Sequence, residues 1–155
     1  MTTKTWAFVD RSEWSRGPWD QEGYDKLVWK DSNTGLDCML HRNAMGAWCG
    51  YVGVPKQHPL FGVHYNDLYE HPQDLDAHGG ITFTEGCHGM DENGRGICHP
   101  ADNGNHVWWI GFDCSHSGDR TPYQGAYFSG DGTYRTQAYA TSEVASLASQ
   151  VAKAR

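Results

Sequence analysis

Alternation of apolar and polar positions marks out most of a sheet. Residues 26–30 (KLVWK) alternate, place Leu27 and Trp29 on the inward side, and predict a strand. Residues 31–35 (DSNTG) are turn-formers, and residues 36–41 return as a second strand, giving a hairpin. Residues 48–54 (WCGYVGV) form a third strand closed by Pro55, and residues 107–113 (VWWIGFD) form the clearest strand of all. Residues 6–10 predict a short first strand. Residues 76–83 (DAHGGITF) predict a partner for 107–113. The connections are polar and Gly-rich. Residues 11–25 read as an ordered loop pinned by Trp14, Trp19 and Tyr24, and residues 56–73 and 85–105 as long loops of the kind that carry function. The period changes only at the C-terminus. There Ala140, Val144, Leu147, Ala148 and Val151 share one helical face and predict a helix over 134–152, capped by Asp131 or Thr133. The expected fold is α+β, a mostly antiparallel sheet with long Gly-rich loops and one C-terminal helix, in a single domain over residues 1–155.

Composition narrows the function classes. With 38% apolar residues and a mean hydropathy of −0.69 the core is modest, and seven Trp and eight Tyr enlarge it. A net charge of −7 argues against non-specific nucleic-acid binding, which requires Lys and Arg to neutralise phosphates, and against an anionic membrane surface. No apolar run is long enough to span a bilayer, and the first residues lack the layout of a signal peptide, so the expected setting is a cytoplasm. Five Cys in a reducing compartment are expected to be thiols, metal ligands or redox groups.

Strand periodicity places candidate chemistry. If 76–83 neighbours 107–113 with apolar faces together, Asp76, His78 and Asp113 project on one side, and His116 and Asp119 follow just past the strand end. Carboxylates with imidazoles suit zinc, manganese or iron, or general acid–base work without a metal. The expected catalytic set is His78, Asp76, Asp113 and His116. His64 and His71 on the long loop, with Trp109, are expected to contact substrate. The competing reading is that such residues only cap turns. A second constellation is thiolate-rich: Cys87, Cys98 and Cys114 with His99 (or His88 or His116) make a ligand set for structural zinc, although no C-x-x-C nucleates it. A Cys87–Cys98 disulfide is the alternative in an oxidising compartment. Cys114 or Cys98 activated by a His, with Asp113 or Asp119 orienting it, is a third possibility. Cys38 and Cys49 read as packing residues. No zincin, nucleophile-elbow, P-loop or dinucleotide signature is present.

The runs DRSEWSRGPWD (10–20), WCGYVGVP (48–55), HGGITF (78–83), GICHP (96–100) and VWWIGFDCSHSGD (107–119) together resemble a family of small uncharacterised bacteriophage and bacterial proteins. The resemblance implies a phage-encoded accessory protein and transfers no catalytic residue. Two functions are expected to compete. One is a small metal-binding hydrolase acting on a small polar or nucleotide-like ligand. The other is a non-enzymatic binder, such as an inhibitor of a host protein or defence factor or a nucleotide-sequestering protein, with structural zinc or no metal.

Overall fold

The computed structural model describes residues 3–68, 75–87, 91–98, 107–123 and 132–154. Strands β1 (Lys4–Trp6), β2 (Lys26–Lys30), β3 (Asp37–Arg42), β4 (Trp48–Pro55), β5 (Phe83–Glu85) and β6 (Val107–Asp113) form one antiparallel sheet in the order β1-β2-β3-β4-β6-β5. A separate parallel pair joins β7 (Asp119–Arg120) to β8 (Thr133–Tyr134), and α1 spans Gln137–Ala152. The mostly antiparallel α+β fold expected from the sequence is therefore present. The β2–β3 hairpin pairs Lys26 with His41 and Lys30 with Asp37. Its turn is closed by Asp31 Oδ2, which accepts from Thr34 N (2.9 Å) and Thr34 Oγ1 (2.7 Å).

Helix α1 buries the five apolar residues that its periodicity singled out: Ala140, Val144, Leu147, Ala148 and Val151. They pack against Cys38, Leu40, Trp48, Val52, Ile110 and Phe112 on one sheet face. Val144, Leu147 and Val151 each contribute about 1.5–3 kcal/mol by leaving water. The cap is Thr136, whose Oγ1 accepts from Tyr139 N at 3.1 Å. Thr133 lies in β8 instead, and Asp131 falls outside the described residues. Gly50 sets how closely the helix approaches, because a Cβ there would stand 2.5 Å from Phe112 and 2.6 Å from Val144.

Two expectations are corrected. The sheet face carrying Trp109, Gly111 and Asp113 is not a polar face: Val28, Met39, Cys49, Tyr51, Ile97 and Trp109 form a second core cluster there. Both faces are covered, which is why β4 and β6 read as nearly continuous apolar runs. Nor do residues 76–83 form a strand. On this side of β6 the pairing strand is Phe83–Glu85, because Gly79 (φ 72°) and Gly80 (φ 85°) turn the chain before it, with Gly80 N donating to Ala77 O at 2.8 Å.

The N-terminal loop is pinned by charge as well as by aromatics. Trp19 is buried in a short 3-10 helix (Pro18–Gln21), but Tyr24 is exposed. The fully buried Arg42 reaches Glu22 Oε1 (3.0 Å), Asp25 Oδ1 (3.4 Å), Gly46 O (2.6 Å) and Tyr134 Oη (3.1 Å), and stacks 4.1 Å from the Trp48 ring. Glu22 also accepts from Trp48 Nε1 (3.2 Å), from the Tyr134 hydroxyl and from Gln137 N (2.8 Å). Asp25 accepts from Phe8 N (2.7 Å) and Val9 N (2.8 Å).

Removing one partner of a buried ion pair strands the other. Arg42→Met is therefore expected to cost about 3–5 kcal/mol in urea unfolding, because Glu22 loses its counter-ion and Asp25 keeps only Arg11, 2.8 Å away. His41 supplies a pH prediction. Its Nδ1–H donates to Arg42 O (2.7 Å), Nε2 accepts from Gly96 N (3.3 Å), and burial pushes its pKa from 6.5 down to about 4. The unfolded chain takes up this proton first, so stability should fall as pH drops from about 6.5 to about 4. The loss should reach on the order of 3 kcal/mol. A His41→Asn variant should show a flatter stability profile across that window.

Candidate functional site

The site forms where β6 runs out. Cys114 N still donates to Trp48 O (3.0 Å), and the chain then turns. Ser115 folds back on Asp113 Oδ1 through its N (3.1 Å) and Oγ (2.9 Å). His116 and Asp119 close the next turn: Asp119 N donates to His116 O (2.9 Å), and His116 N donates to Asp119 Oδ2 (3.1 Å). The turn at residues 77–80 brings His78 to the same place, and the start of α1 brings Arg135 and Tyr139.

Asp119 is the hub. Its Oδ2 accepts from His78 Nε2 at 2.7 Å and its Oδ1 from Arg135 Nε at 2.9 Å, with the carboxylate buried. Burial opposes ionisation, but the bonds from Arg135, His78 and His116 outweigh it and hold the Asp119 carboxyl below its ordinary range. In the tautomer whose Nε2–H donates to Asp119, His78 Nδ1 accepts from the Tyr139 hydroxyl, 2.8 Å away. Burial and the Glu143 charge push the Tyr139 phenol up, partly offset by Arg135, so it keeps its proton. Tyr139, His78 and Asp119 thus form one hydrogen-bonded line drawn from three separate parts of the chain.

A second imidazole lies beside the first. The His78 and His116 rings are 6.3 Å apart between centroids. His116 Nε2 stands 3.2 Å from Asp113 Oδ1, within ion-pair range but out of line for a hydrogen bond, and it is buried without a hydrogen-bond partner. Asp113 Oδ2 is also held by Thr82 Oγ1 at 3.2 Å. Gly79 packs its backbone on this ring: a Cβ there would fall 2.2 Å from His116 Cδ2.

Of the expected catalytic set, His78, Asp113 and His116 meet here and Asp76 does not. Asp76 is exposed, and its backbone N and O are clamped by Gln150 at 2.7 and 2.9 Å. Asp119 takes the place expected of Asp76. Trp109 cannot contact substrate, since it is fully buried in the second core. His64 stacks on Tyr65 and its Nδ1 accepts from Asn66 N (3.2 Å), so its partners are local. His71 and His99 lie outside the described residues.

Among the described residues the three cysteines of the zinc set are not brought together. Cys87 and Cys98 are joined in a disulfide, whereas Cys114 is a free thiol in the helix-side core. Among the described residues, no group of three or more His, Cys, Asp or Glu is placed to hold a metal ion. Burial, then the Asp119 carboxylate, push the Cys114 thiol up, so it is a poor nucleophile. Cys38 and Cys49 are buried, as their strand positions suggested. Arg135 and Tyr139 were missed by sequence reasoning. Their signal was an i,i+4 pair across the helix start, with the guanidinium 5.1 Å from the Tyr139 ring.

No family model, curated protein or solved structure matches this chain. Among the described residues no helix is long and apolar enough to cross a membrane.

The Gly79–His116 contact gives a direct check. Gly79→Ala adds a Cβ to a left-handed position (φ 72°) and into the ring. It is expected to cost about 2–4 kcal/mol. It should also displace the His116 imidazole resonances in a nitrogen–proton NMR spectrum while those of His41 stay in place.

Proposed function

We propose that this chain is a small hydrolase that works by general acid–base catalysis on a small polar or nucleotide-like substrate. The observation that carries the reading is the Tyr139–His78–Asp119 line, with its 2.8 and 2.7 Å hydrogen bonds, beside a second imidazole–carboxylate pair. A water molecule donating to Tyr139 Oη would attack the substrate. Its proton would pass to the phenol oxygen as the phenol proton passes to His78 Nδ1, leaving an imidazolium that Asp119 stabilises through Nε2–H. His116, beside Asp113, would give a proton to the leaving atom. Each His is thus matched with one carboxylate, the division of labour that acid–base hydrolysis needs. A phage-type accessory protein acting on host metabolites fits this chemistry.

One observation favours the rival, a non-enzymatic binding protein. Both ring nitrogens of His78 are satisfied internally, as in a histidine that only ties a turn to a helix. Exposed Met45 and Tyr123, joined by a hydrogen bond from Tyr123 N to Met45 O (3.2 Å), would then belong to the binding surface.

The test is hydrolysis of a panel of nitrophenyl carboxylate esters, phosphate monoesters and phosphate diesters by the full chain. Measurable turnover is expected. His78→Ala and His116→Ala should each lower it by about 100-fold or more. Tyr139→Phe, which keeps the ring, should lower kcat more than it raises KM. Turnover untouched by these changes, in variants with unaltered circular dichroism, would overturn the assignment.

A further inference from the structure

The Cys87–Cys98 disulfide ties down a segment that does more than close a loop. Residues 91–98 lie over the second core and place Ile97 among Val28, Met39, Cys49, Tyr51 and Trp109. Beneath them Lys26 is fully buried, and its ammonium donates to Gly94 O (2.8 Å), Gly96 O (2.9 Å) and Cys98 O (3.1 Å). Arg95 Nη2 donates to Phe8 O (3.0 Å), and Gly94 lies flat on the Trp6 ring, where a Cβ would come within 2.3 Å. A charged amine is a costly group to bury, and burial pulls its pKa down to about 8. Cys98, whose carbonyl is one of the three acceptors of that amine, also carries the bond to Cys87, so the bond ties the strap to the end of the segment that follows β5. Cys38, Cys49 and Cys114 are buried free thiols, and burial pushes all three up. Thiol–disulfide exchange is therefore concentrated at one bond, whose Cys87 end is the more exposed.

We propose that Cys87–Cys98 is a redox-operated clasp that, when reduced, lets residues 91–98 lift from the second sheet face while the helix-side core stays folded. The co-reactant is a dithiol. One of its thiolates attacks Cys87 Sγ, the Cys87–Cys98 bond breaks, and Cys98 leaves as a thiolate that takes up a proton. The second thiol then attacks the mixed disulfide, forming the oxidised cyclic disulfide of the reductant and freeing the Cys87 thiol. Two electrons pass from the dithiol to the protein. Once free, the strap exposes Lys26 to water, which is the environment its charge favours.

The two core clusters hold different cysteines, which makes the opening readable. Cys49 lies in the cluster under the strap, whereas Cys38 and Cys114 lie under α1. The experiment is iodoacetamide labelling of the full chain, followed residue by residue by mass spectrometry. It compares the oxidised protein, the same protein in dithiothreitol, and the Cys87→Ser/Cys98→Ser variant. All three free thiols should react slowly in the oxidised protein. In the reduced protein and in the variant, Cys49 should react at least 10-fold faster, with Cys38 and Cys114 still slow. Three slow thiols in both opened forms would show that the strap stays shut without the bond, and would overturn the clasp. Three equally fast thiols would show that the bond holds the whole fold, and would overturn it as well.

Discussion

A buried guanidinium must be surrounded by acceptors or it will not stay buried, and Arg42 is where this structure meets that demand. Its acceptors come from the loop before β2, the turn after β3 and the strand before the helix. Glu22, neutralised by Arg42, has an oxygen left to accept from Gln137 N at the first residue of α1. The carboxylate satisfies an otherwise orphaned helix N–H and suits the positive end of the helix dipole. The helix start is thus placed by charge, and Tyr139 comes to His78 as a consequence.

Asp119 does for the candidate site what Arg42 does for the sheet end. One carboxylate collects an imidazole, a guanidinium and a backbone N–H, so the turn after β6, the turn at 77–80 and the helix start converge on one atom group. The interaction is mutual: Arg135 is held more firmly in its charged form by the same bond. The contrast with His116 is informative. His78 is fully committed to its neighbours, whereas His116 has a buried nitrogen near a carboxylate but no aligned bond.

Alternation and helical period were enough to locate β2, β3, β4, β6 and the buried face of α1, because each is a regular element with a covered face. The same rule failed at 76–83. It counted side chains and overlooked that two consecutive glycines, free to take positive φ, would rather turn than extend. It also failed at Trp109, since a strand covered on both sides offers no polar face, and the periodicity cannot say what a distant loop will cover. Asp113 and His116 were legible because β6 ends there, whereas His78 was assigned to a strand that does not form and reaches the same place through a turn. Asp76 was not excluded by sequence because nothing local announces Gln150 as its partner. Cys87 and Cys98 were legible as a pair but undecided between metal and bond, a choice that depends on where three separate segments meet.

The bond from Gln137 to Glu22 joins residues 115 positions apart. A ribosome must therefore release the chain as far as the first turn of α1 before the Arg42 cluster can be completed. Until then Glu22, Asp25 and Arg42 lack Tyr134 and the helix, and the sheet face under α1 is bare. The hairpin of β2 and β3 can form early, from neighbours in sequence, but the site cannot. The sheet face that α1 covers stays open until the helix has emerged, so a nascent chain presents an apolar surface that its own later residues must close.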